Sequence, residues 1–163
     1  MYICNEQLAM LKSDIEIILQ TQEKQLIDDR SLVGRSSLGE VSLIPGFATL
    51  ITGVRRAGKS TYLRMLYQVQ PEKYTYIHFD DPRLLEFSTD DFFRLEDLSG
   101  DTTFMFDEIQ YVKDWEVYIR HLTERKKGVY LTGSNATMLS GEMADKLTGR
   151  QLSYELFPFS YQE

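Results

Sequence analysis

The sequence predicts an α/β fold: one five-stranded parallel sheet with helices on both faces, a three-layer sandwich. Three observations predict it. From Phe47 onward, strand-like apolar runs alternate with helix-like segments, the pattern of a parallel sheet with crossover helices. A glycine-containing loop, GVRRAGKST (Gly53 to Thr61), separates the first strand from the first of these helices. Each polar motif described below lies just past a strand's carboxyl end, where such sheets bind ligands.

The elements follow in order. Met1 to Asp29 reads as one helical segment, with Leu8, Leu11, Ile15, Ile18 or Leu19, and Leu26 at helical spacing. It is either a helix docked on the domain or a partner-binding helix. Arg30 to Gly46 is a polar connection ending in the turn signal Pro45-Gly46. This divides the chain into an N-terminal helix and connection (1–46) and a core (47–163). Phe47 to Thr52 is the first strand, and Ser60 to Gln70 a helix stopped by Pro71. Tyr74 to Asp80 is the second strand. Pro82 to Gly100 is acidic and holds short helices. Thr103 to Phe106 is the third strand. Asp114 to Lys127 is a helix: Trp115, Tyr118, Ile119 and Leu122 follow the i, i+3, i+4, i+7 rule, and Gly128 ends it. Val129 to Thr132 is the fourth strand, Thr137 to Leu147 a helix interrupted by Gly141, and Leu152 to Phe157 the fifth strand.

Composition narrows the class. A chain of 163 residues suits one compact domain, and 42% hydrophobic residues suffice for a core. The net charge of −7 does not support a duplex nucleic-acid footprint in this segment. Cys4 is the single cysteine, so no disulfide forms within the chain and a reducing compartment fits. MYICNEQ lacks the basic and apolar regions of a secretion signal. No apolar run approaches the ~20 residues that span a bilayer. The expectation is a cytoplasmic protein.

Gly53, Gly58, Lys59 and Ser60 satisfy G-x-x-x-x-G-K-[ST], the P-loop pattern. Glycines let the backbone curl so that several N–H groups point at anionic oxygens. The helix starting near Lys59 adds its positive end. The expected contacts are Gly53, Arg56, Ala57, Gly58, Lys59, Ser60 and Thr61. Lys59 reaches the β and γ phosphates, and the Ser60 hydroxyl ligates Mg²⁺. Arg55 and Arg56 could touch phosphate or stay solvated.

TTFMFDEIQ is an apolar strand ending in two carboxylates, which need water or a cation there. Asp107 can hold Mg²⁺ through its water shell. Glu108 can orient or deprotonate an attacking water. An adjacent glutamate marks P-loop proteins that hydrolyse ATP and insert a strand between the cradle strand and the carboxylate strand. The expected order is 5-1-4-3-2, and the inserted strand is GVYLTGSN. Its tip would stand beside the γ-phosphate, with Asn135 the first candidate for a sensor and Ser134 the second. No N-K-x-D motif for reading guanine occurs.

GVRRAGKST, DDPRL, FDEIQYVKDW, LTGSN, LTGR and LFPFSYQE, in that order, resemble one group of bacterial and archaeal AAA+ ATPases of the ASCE class of P-loop NTPases. The resemblance covers about Phe47 to Glu163. It implies ATP with Mg²⁺ and carries roles onto Lys59, Ser60, Asp107, Glu108 and Asn135. It also draws in Arg150 as an arginine finger, in cis or across a subunit interface of a homo-oligomer. Asp80, Asp81 and Arg83 match the group but receive no role. His78 and His121 read as structural. Members of the group continue past this point, so the resemblance implies a lid and C-terminal region, or a partner protein, beyond SYQE. It predicts weak or no turnover by this segment alone.

The leading expectation is therefore an ATP-hydrolysing core. The alternative is a nucleotide-gated interaction module with negligible turnover, whose partner surface is the acidic stretch Asp90 to Asp101 or the N-terminal helix. A small-molecule kinase ranks third, because Glu108 suits water activation.

Overall fold

The computed structural model describes residues 10–28, 41–133, 146, 147 and 149–158. Five strands form one sheet: β1 (Ala48–Thr52), β2 (Tyr74–His78), β3 (Thr103–Asp107), β4 (Val129–Thr132) and β5 (Gln151–Glu155). The order is β2-β3-β4-β1-β5, the predicted order read from the other edge. Every pairing is parallel, with Ala48 opposite both Val129 and Gln151, and His78 opposite Asp107. The helices are α1 (Lys12–Asp28), α2 (Lys59–Val69), α3 (Thr89–Ser99) and α4 (Trp115–Glu124). None of them is long and apolar enough to cross a membrane.

Period-2 alternation sorts the strand side chains into two cores. Leu50, Ile77, Phe104, Phe106, Val129 and Leu131 face α3 and α4 and meet Phe92, Leu95, Tyr118 and Ile119. Ile51, Tyr76, Met105 and Tyr130 face α2 and meet Tyr62, Leu63 and Tyr67. Central strands buried on both faces read as continuous apolar runs, which is why β1, β3 and β4 stood out in the sequence. On the first face Phe92 stacks on Tyr118 at 4.4 Å with the rings 5° apart.

α1 lies along the open edge of the sheet beside β2. Ile15 and Ile18 enter the first core and Leu26 the second. Gln22 occupies the gap in that apolar stripe and is buried. Its amide treats β2 as a neighbouring strand would: Oε1 accepts from His78 N–H at 2.8 Å, and Nε2 donates to His78 C=O at 3.1 Å. α1 begins later than the sequence pattern suggests. Met10 N–H donates to the Asp91 carboxylate at 3.1 Å, and the helix starts after Leu11, whose carbonyl accepts from Asp14 and Ile15.

Most other boundaries shift by one to three residues. β2 ends at His78 rather than Asp80 because Asp81 opens a 3-10 turn over Pro82–Leu84. The acidic stretch is not one solvated face. Asp91 is fully buried and accepts from Ser88 N, Ser88 Oγ and Arg94, capping α3. Glu96 accepts from Arg125, Lys127 and Tyr118. The helix expected over Thr137 to Leu147 lies almost wholly outside the described residues.

Candidate functional site

The carboxyl ends of β1 and β3 deliver the two motifs to one edge of the sheet. After β1 the chain turns through Val54, which accepts from Ala57 N–H at 3.1 Å, and enters α2 at Lys59. Arg56 (φ 67°) and Gly58 (φ 93°) adopt left-handed backbone, which curls the loop tightly. Gly53, at φ 149°, is required for a different reason. A Cβ there would lie 2.3 Å from the Leu156 carbonyl oxygen, where the chain leaves β5. Leu156 N–H in turn donates to Thr52 C=O at 2.7 Å. The first loop glycine thus permits β1 and the exit of β5 to run in contact.

Lys59 is buried, and its ammonium folds across the loop to the carbonyls of Gly53 (3.0 Å) and Val54 (3.3 Å). Ala57 is fully buried beneath the loop, while Arg55 and Arg56 are exposed. Ser60 and Thr61 are half-buried in the first turn of α2. Ser60 and Asp107 line one cavity of about 320 Å³, together with Gln22, Arg64, Tyr76 and His78.

Asp107 is completely buried. Its Oδ2 accepts from the Tyr76 hydroxyl at 2.7 Å, and its Oδ1 accepts from the Thr132 hydroxyl. His78 Nδ1 stands 3.2 Å from Oδ2 but off hydrogen-bond alignment, so this approach is chiefly electrostatic. Burial alone would raise the Asp107 carboxyl; His78, Thr132 and Tyr76 more than offset it and hold it below the usual carboxylate range. The same carboxylate raises the His78 imidazole against the opposing effect of burial. Burial first, and then Asp107, push the Tyr76 phenol well up.

Glu108 follows with left-handed backbone at φ 55°, ψ 47°, uncommon for a residue with a side chain. Its N–H donates to Thr132 Oγ1 at 2.9 Å, and its carboxylate accepts from Gln110 Nε2 at 2.5 Å. The geometry therefore adds Tyr76, His78, Thr132 and Gln110 to the residues singled out in the sequence. Tyr76 and His78 sit at alternate positions of a half-buried edge strand. Nothing local in the sequence marks either of them; the register of β2 against β3 brings them to Asp107.

Other candidates fall elsewhere. Arg150 is exposed at the amino end of β5, where its C=O accepts from Ala48 N–H at 3.0 Å. The glycine loop is at the opposite end of β1. At ~3.3 Å per strand residue the two are roughly 17 Å apart, beyond an arginine's reach. Within one chain the guanidinium does not reach the loop. Ser134 and Asn135 lie outside the described residues. Asp81 accepts from Arg83 Nη2 (2.7 Å), Nε and N–H, and from Gln22 Nε2 at 3.0 Å. The Arg83 guanidinium, assisted by Gln22, holds its carboxyl well below the usual range. DDPRL thus builds the turn after β2 and ties it to α1. Asp80 is exposed, and its charge raises the nearby Tyr111 phenol. Among the described residues no group of three or more His, Cys, Asp and Glu could hold a metal.

Residues 46–163 match the profile of the family described as AAA domain. The chain belongs to that family. It is also 33% identical over 129 residues to an uncharacterized protein of Methanocaldococcus jannaschii, a match covering 76% of this chain and 29% of that protein. An uncharacterized protein of Haemophilus influenzae is 33% identical over 134 residues, covering 72% of this chain and 32% of its own length. The chain spans about a third of the length of these curated relatives. For this AAA domain, membership and sheet order agree on a nucleotide-binding core of the ATPase type.

Proposed function

We propose that this AAA domain binds ATP with Mg²⁺ and hydrolyses its β–γ anhydride, as the core of a larger protein. The observation that carries the reading is that Ser60 and Asp107 face one cavity, with Glu108 following Asp107 in the chain. The loop amides and the amino end of α2 cradle the phosphates. Lys59, already folded into the loop, pairs with the β and γ phosphates. Ser60 and Asp107 are hard oxygen donors, and Asp81, the second carboxylate lining the cavity, is occupied by Arg83 and Gln22. That donor set fits magnesium retaining most of its water. Bound there, the ion would neutralise phosphate charge.

Glu108 accepts a proton from the attacking water, and Gln110 orients its carboxylate. Asn135, or Ser134, reads the γ-phosphate. Arg150, remote from the loop of its own chain, acts on a neighbouring subunit's nucleotide. These assignments are tested together. Lys59→Ala should abolish MgATP binding. Glu108→Gln should keep binding and lower hydrolysis by roughly 10²–10⁴-fold, the usual contribution of a general base. Hydrolysis by Glu108→Gln at the parent rate refutes the base assignment.

One observation favours the nucleotide-gated reading as a second. Gln22, Gln25 and Leu26 of α1 line the same cavity as Ser60 and Asp107. Occupancy there would be felt by α1 without any turnover. Hydrogen exchange of α1 with a non-hydrolysable ATP analogue separates this from hydrolysis.

A further inference from the structure

Among the described residues, Thr132 bonds to both members of the acidic pair. It is fully buried at the end of β4, beside Asp107 across the β3–β4 pairing, since Phe106 is opposite Leu131 one residue earlier. A hydroxyl has one proton and two lone pairs. Here the proton goes to Asp107 Oδ1, and a lone pair takes the Glu108 N–H. The two bonds set each other's direction. A carboxylate accepting from Thr132 fixes the hydroxyl hydrogen, which leaves the oxygen's lone pairs facing the Glu108 amide.

We infer that Thr132 is a positioning residue, a single hydroxyl that sets the carboxylate ligand and the general base in register with each other. Rigidity on the Asp107 side follows from counting its acceptor sites. A carboxylate has about four. The Tyr76 hydroxyl takes one site on Oδ2, with His78 Nδ1 standing 3.2 Å from the same oxygen, and Thr132 takes one site on Oδ1, so one Oδ1 site stays open for a water. On the Glu108 side, the left-handed backbone is a conformation that surroundings must hold in place. The Thr132 bond to its N–H is the hold supplied from outside the turn; Tyr111 N–H to Glu108 C=O at 3.2 Å supplies the one from within it. Packing alone does not demand threonine, because valine has the same shape.

This inference rests on the ATPase reading and deepens it. The test compares Thr132→Ser, Thr132→Cys and Thr132→Val in the full chain. Melting temperature, kcat, KM for ATP and the Mg²⁺ concentration for half-maximal activity are measured for each. Loss of one hydrogen bond to a charged buried group is worth roughly 10- to 100-fold in rate. Serine should stay within about 3-fold of the parent, and valine should lose roughly 10- to 100-fold in kcat, with cysteine between them. Valine should also raise the Mg²⁺ requirement while leaving KM for ATP within about 3-fold. Cysteine, close to threonine in volume, decides the matter if valine does not fold. Equal kcat in all three variants, or losses that follow volume and melting temperature rather than the hydroxyl, overturn the inference. An unmodified chain that neither binds nor hydrolyses MgATP overturns the ATPase reading itself, an outcome visible before any variant is made.

Discussion

Gly53→Ala tests whether the first loop glycine is needed by the neighbouring chain rather than by a phosphate. The added Cβ would meet the Leu156 carbonyl oxygen at 2.3 Å, and Ala57 Cβ at 3.3 Å. Ordinary contact requires about 1 Å more from the first of these. That displacement pulls Leu156 away from β1 and disrupts its bond to Thr52, costing about 1 kcal/mol. Holding an alanine at φ 149° costs about 1–3 kcal/mol more. The total is about 2–4 kcal/mol, which in a domain this size lowers Tm by roughly 4–16 °C. Thermal unfolding followed by circular dichroism measures this without nucleotide. Gly100→Ala is the control: its φ is also positive, at 64°, but nothing lies within 4 Å of the added atom. It should lose only the backbone cost, about 1–3 kcal/mol. A Tm for Gly53→Ala no lower than that of Gly100→Ala would refute the argument.

Further outcomes follow from the buried polar and aromatic groups. Tyr76→Phe removes the 2.7 Å bond to Asp107 and should cost about 1–3 kcal/mol in urea unfolding, with a raised Mg²⁺ requirement for nucleotide binding. Phe92→Ala, a fully buried ring stacked on Tyr118, should cost about 3–5 kcal/mol by the same assay. Burial raises the Glu96 carboxyl, but Lys127 and Arg125 outweigh it and hold the group below its ordinary 4.5. A depressed folded value means stability that is present above pH 4.5 and lost as pH falls through the folded value. Glu96→Gln should therefore flatten the fall in Tm between about pH 5 and pH 3.

The sheet order was legible because the glycine loop after β1 and the acid pair after β3 resemble a class of P-loop proteins in which a further strand is inserted between those two, and the observed order agrees. The glycine loop and the acid pair were legible as motifs, and the sheet brings them to one edge. Tyr76, His78 and Thr132 were not, because nothing local distinguishes a strand tyrosine that packs from one that holds a carboxylate. Only the β2–β3–β4 register brings the three to Asp107. Asp91 was hidden differently. An aspartate in an acidic run reads as solvated, and its burial depends on Met10, 81 residues away. The predicted parallel order already put Arg150, just before the fifth strand, at the end of the sheet remote from the loop, and the register of Ala48 opposite Gln151 agrees.

β2 is the rim of the sheet on one side, and its outward peptide groups would otherwise be a template for a second chain. The Gln22 amide has the same donor and acceptor as a peptide unit, so α1 supplies there what a sixth strand would. A shortened protein beginning at residue 46, where the family match starts, would keep the glycine loop and the acid pair and lose this guard. Such molecules would adhere rim to rim, and light scattering would register clusters that the full chain does not form.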